Sequence, residues 1–136
     1  MKMIPYLLPR PTAVIAAGLL LSGSAAAQSW LDQYDVPDAP SHIWTANPQE
    51  GLGPVENAYQ HYRKHGAEVG AVNAVDYLQK ARQFLLAPPE HAEQKTYPGV
   101  IKRYDDHSGL FGSMTDNGVP KTFMVPTDGY DYWLRQ

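Results

Sequence analysis

The chain has 136 residues, with 43% hydrophobic, 11% aromatic and 18% charged side chains, which suits one ordinary domain and is too little for two. It contains no cysteine, and this excludes a disulfide framework, a thiolate zinc site, an iron–sulfur cluster and a thiol nucleophile. The formal net charge is −3, and nine Tyr, three Trp and three Phe supply a core that a disordered chain would lack.

Residues 1–27 read as a signal peptide. Lys2 and Arg10 give a basic start, Ala13 to Leu21 is an apolar run, and Ala25 and Ala27 stand in A-x-A spacing. As a helix that run would span about 14 Å, well short of the ~20 apolar residues of a membrane crossing, so cleavage after Ala27 is favoured over an uncleaved anchor. The product begins at Gln28 and keeps 9 basic against 14 acidic side chains, a net charge of −5 with His neutral. Such a balance is not the footprint of a high-affinity nucleic-acid binder. Residues 28–54 form an acidic, proline-rich leader, with Asp32, Asp35, Asp38 and Glu50 and no Lys or Arg. Pro37, Pro40, Pro48 and Pro54 break regular structure there, while Trp30, Tyr34, Ile43 and Trp44 can pin the leader against the body.

The body, residues 55–136, orders helices before strands. Val55, Ala58, Tyr59 and Tyr62 fall at i, i+3, i+4 and i+7, so the spacing predicts a helix from Pro54 to His65 that ends at Gly66. Asn73 caps a second helix with Asp76 three residues on; Val75, Leu78, Ala81 and Leu85, with Tyr77 and Phe84, make its buried stripe until Pro88-Pro89. Strands are expected at Val100–Tyr104, Leu110–Met114 and Val119–Val125, with a weaker one at Gln94–Tyr97. Asn117-Gly118 marks a hairpin turn. Two helices packed on a small antiparallel sheet make an α+β domain.

Several blocks resemble one family: Tyr59 to Glu68 with Lys64-His65-Gly66, the Ala81 to Phe84 helix segment, Arg103-Tyr104-Asp105, Phe111-Gly112, Asn117-Gly118, Thr122-Phe123 with Pro126, and Gly129 with Tyr132. In that order they are similar to the C-terminal RNase modules of bacterial polymorphic toxins, of the barnase/EndoU/colicin/RelE-type superfold. Val69 and Pro120 depart from the usual pattern. The resemblance implies a metal-independent ribonuclease that acts by 2′-hydroxyl attack and leaves a 2′,3′-cyclic phosphate. It implies RNA as substrate, with tRNA one candidate, and a cognate immunity protein as partner.

RNA cleavage without metal or thiol needs a base for the 2′-hydroxyl, an acid for the leaving 5′-oxygen, and groups that meet the charge building on phosphorus. His65, Arg103, Thr122 and Tyr132 are the expected catalytic set, and Arg63, Lys64, Lys102 and Lys121 the expected RNA contacts. Each has a plainer reading beside it: His65 as a charge at a helix C-terminus, Arg103 as a surface partner of Asp105 or Asp106, Thr122 as a strand former, Tyr132 as packing. Strand alternation sets Phe123 and Lys121 on one face and Thr122 and Met124 on the other. His107 reads as a solvated turn residue or a second acid–base group, and His42 and His91 as incidental. No cofactor and no metal are expected. A zinc rival rests on His61 and His65, four apart on one helix face, with a third ligand from Asp105, Asp106 or His107. The other alternative is a non-catalytic secreted or periplasmic binding or inhibitor protein. On either reading the protein is exported, monomeric and free of the membrane once mature.

Overall fold

A computed structural model describes residues 30–31 and 40–136; the signal-peptide reading of residues 1–27, and Tyr34, lie outside these. Short helix α1 spans Pro40–Ile43, and a 3-10 turn spans Pro48–Glu50. Helices α2 (Pro54–His65) and α3 (Ala74–Leu86) follow, then strands β1 (Glu93–Tyr97), β2 (Val100–Asp105), β3 (Leu110–Thr115) and β4 (Pro120–Met124), then helix α4 (Tyr130–Leu134). The strands form one antiparallel sheet in the order β1-β2-β3-β4, so the chain is an α+β protein.

Local chemistry fixes both long helices. Pro54 occupies the first turn of α2, and Glu56 Oε1 accepts the Gly53 amide at 2.8 Å. In α3 the exchange is reciprocal: Asn73 Oδ1 accepts the Asp76 amide at 2.8 Å, and Asp76 Oδ2 accepts the Val72 amide at 3.0 Å. The stripe Tyr77, Leu78, Ala81, Phe84 and Leu85 is buried, and the Tyr77 hydroxyl donates to the Phe123 carbonyl at 2.5 Å. Gly66 stops α2 without adopting a left-handed conformation. Its φ is −58°, and a Cβ there would stand 2.6 Å from the Tyr62 ring, so close packing is what requires glycine.

The sheet has two covered faces. Register pairs Arg103 with Gly112 and Gly112 with Phe123, and this face receives α2 and α3. On the other face Tyr104, Phe111 and Met124 pack against Trp133 and Tyr132 of α4. The α4 layer was not expected from the sequence; Trp133 seats it, buried and stacked on Tyr104 at 5.8 Å between ring centroids. From the acidic segment, Trp30, Ile43 and Trp44 are buried in the same core as α2 and α3, with Trp44 5.8 Å from the Tyr77 ring. Strand β4 is shorter than the Val119–Val125 expectation. A register irregularity at Ser113/Met114 pairs Met114 with Pro120, and the loop before it places Gly118 at φ +89° with the Thr115 amide donating to Val119 O at 2.9 Å.

Candidate functional site

His65 is the last residue of α2, and its side chain keeps 21% of its exposure. Its Nδ1 lies 3.1 Å from Glu68 Oε2, and that same oxygen accepts the Val125 amide at 2.9 Å. Glu68 is thereby fastened to the exit of β4 while it orients the imidazole. Because a carboxylate only accepts, Nδ1 carries the proton of this pair and Nε2 is left as the basic nitrogen. The ring opens on a groove of about 290 Å³ lined by Glu68, Met124, Pro126, Asp128 and Tyr132. The Tyr132 ring stands edge-on to Phe111 at 5.1 Å, which holds it at the groove from the sheet side. Asp128 is bonded to Arg135 at 2.8 Å. Arg63 and Lys64 are exposed on the turn of α2 that carries His65.

The remaining expected residues stand elsewhere. Arg103 does not line this groove. Its Nε donates to Leu85 O at 2.9 Å and its Nη1 to Gln94 Oε1, so it closes the C-terminal end of α3 against the sheet. Neither Asp105 nor Asp106 is its partner, contrary to the surface-pair alternative; the Asp105 oxygens are taken by His91, the His107 amide and Ser108. Burial holds its guanidinium below the ordinary value. Thr122 is half-buried opposite Ser113, on the sheet face away from α2 and α3, and is not a groove residue. Lys121 is half-buried beside it on β4. Lys102 bonds Gln136 Oε1 at 3.2 Å and lies over the Tyr97 ring at 5.4 Å. The structure therefore joins His65 to Tyr132, with Arg63 and Lys64 on the adjoining turn, and leaves Arg103, Thr122 and Lys102 apart from them.

His61 and His65 do share a face, at 6.1 Å between rings, but they do not share a ligand set. His61 packs on Trp44 at 5.2 Å. Burial, with smaller contributions from His65 and Lys64, pushes its pKa down to about 4. Asp105 and His107 gather around His91 instead: His91 Nε2 is 2.7 Å from Asp105 Oδ1, and the two imidazoles stack at 3.7 Å. His91 is thus not incidental. Its place depends on the loop after α3 folding back to the end of β2, a contact with no periodic signature. Glu68 was missed too, although its place three residues after His65 next to a helix end was a readable cue.

A second, larger groove of about 560 Å³ runs between α3 and the sheet, lined by Val69, Lys80, Phe84, Leu110 and Phe123 among others. Among the described residues no helix is long and apolar enough to cross a membrane. In comparisons with known proteins, no family model and no curated protein matches the chain.

Proposed function

We propose that this chain is a ribonuclease-type domain of the barnase/EndoU/colicin/RelE-like kind, a secreted toxin that cleaves RNA without metal. The observation that carries the reading is the His65–Glu68 pair, anchored to the Val125 amide and opening on the groove that also holds Tyr132. His65 Nε2 takes the 2′-hydroxyl proton, the 2′-oxygen bonds to phosphorus, and the bond from phosphorus to the 5′-oxygen breaks. The 5′-oxygen leaves with a proton from solvent or from the Tyr132 hydroxyl, and the products are a 2′,3′-cyclic phosphate and a 5′-hydroxyl. Glu68 fixes the tautomer and stabilises the imidazolium as it forms. Arg63 and Lys64 supply the positive charge for the phosphodiester. Arg103 and Thr122, expected at the phosphate from the family resemblance, act in this reading through the fold.

The test is to incubate the purified protein with mixed tRNA and rRNA in EDTA, beside His65→Ala, Glu68→Gln and Tyr132→Phe. Fragments ending in cyclic phosphate from the wild type, reduced about 10²- to 10⁴-fold by His65→Ala, support the reading. RNA left intact by wild-type protein, with or without added metals, overturns it. The apolar groove of Val69, Phe84, Leu110 and Phe123 favours the second reading, a non-catalytic binding or inhibitor protein, in that event.

A further inference from the structure

We propose that His91, Asp105 and His107 bind one divalent transition ion of the zinc class, which fastens the loop between α3 and β1 to the turn between β2 and β3. The three come from separate places in the chain: the loop after α3, the last residue of β2, and the turn that follows it. One ligand atom from each lies within 4.8 Å of the others. A tetrahedral shell of about 2.05 Å bonds separates its ligand atoms by about 3.3 Å, so modest side-chain adjustment closes the set. Two imidazoles and one carboxylate suit zinc, nickel or copper and are a poor match for the all-oxygen shells of calcium and magnesium.

The surroundings resemble an outer shell that is already formed. Asp105 is 4% exposed, its Oδ2 accepts the Ser108 hydroxyl at 2.7 Å, and its Oδ1 accepts the His107 amide at 2.9 Å. Burial works to raise the Asp105 carboxyl. The Ser108 hydroxyl, the His107 amide and His91 outweigh it, so the group stays below the ordinary carboxylate range and ionised. His91 and His107 are exposed, which leaves the ligand side open to solvent. Two exposed imidazoles held face to face across one buried carboxylate would repel each other if both were protonated; bonding both to one cation removes that conflict.

Entry of the ion has a definite proton balance. The 2.7 Å separation of His91 Nε2 and Asp105 Oδ1 is a hydrogen bond, shorter than a shared ion allows. The ion takes the place of the Nε2 proton, the neutral ring carries its one proton on Nδ1 instead, and the 44%-exposed His91 side chain moves out by roughly half an ångström. None of the three residues lines the His65 groove, so this site is separate from the proposed RNA cleavage.

The experiment is calorimetric titration of the metal-stripped full chain with Zn²⁺ at pH 7.5, in two buffers of different ionisation enthalpy. One equivalent bound, with nearly the same heat in the two buffers because the neutral imidazoles give up no net proton, is expected together with a rise in Tm. His91→Ala and His107→Ala should each weaken binding about 100-fold or more, Ser108→Ala about tenfold, and His65→Ala should leave it at wild-type strength. Unchanged near-ultraviolet circular dichroism shows that each variant is folded. Zn²⁺ bound no more tightly by wild type than by a His91→Ala/His107→Ala double variant overturns the proposal, as does loss of binding on His65→Ala.

Discussion

Acid should weaken this fold through His61, and the size of the effect follows from where the ring sits. In the unfolded chain an imidazole takes its proton near pH 6.5; in the fold, packed on Trp44 and beside His65 and Lys64, His61 does so only at about 4. Between those values unfolding takes up a proton, so stability falls as pH falls, and below about 4 this group causes no further loss. At pH 5 the full difference would remove about 2 kcal/mol. The ring keeps part of its hydration, which brings the expected loss to about 1 kcal/mol, a measurable share of a fold stable by about 5–15 kcal/mol. The assay is urea unfolding at pH 7 and pH 5 for wild type and His61→Gln, which retains polarity and cannot titrate. The variant should lose less stability over that interval by about 1 kcal/mol. Equal losses in the two proteins would refute the assignment and place the acid sensitivity in the carboxylates.

Arg103→Met should destabilise by about 1–2 kcal/mol, read from the urea midpoint, because it leaves Leu85 O without its donor; cleavage by the folded fraction should be unchanged, and a large loss in fully folded protein would return Arg103 to the phosphate. Gly112→Ala should cost about 1–3 kcal/mol, since a Cβ there meets Leu85 Cδ2 at 2.9 Å and Phe84 at 3.3 Å, in a packed layer where α3 lies on β3.

Both long helices were legible because their ends are written locally. Pro54, Asn73 with Asp76, and the prolines after Leu86 act within one turn, and a stripe at 3.6-residue spacing carries the rest. Strand positions followed from turn residues, but their faces did not fully follow: the irregularity at Ser113/Met114 changes how Val119 to Lys121 meet β3, and period-two reasoning cannot see an inserted residue. Helix α4 escaped notice because five residues are too few for periodicity, and its stability comes from Trp133 on Tyr104 and from the indole N–H donating to Glu93 Oε1 at 3.1 Å. Arg103 shows the limit for sites. An arginine on a predicted strand reads as a phosphate ligand, and only the packing of α3 reveals a free carbonyl at Leu85 for it to meet.

Two imidazole–carboxylate pairs occur in the described residues, and their surroundings assign them different chemistry. At Glu68 the oxygen that meets His65 also accepts one backbone amide, and the imidazole presents its other nitrogen to a groove walled by Tyr132. On the proposed function this ring is the base. At Asp105 the carboxylate is buried under three donors from His91, His107 and Ser108, and a second imidazole is stacked on the first. There one ligand atom from each of the two imidazoles and the carboxylate lies within 4.8 Å of the others, which is the basis for proposing a cation as their common partner. The distinction rests on what the second contact of each carboxylate is: a strand exit beside the proposed base in one case, and a set of neighbouring donors beside the proposed ligands in the other.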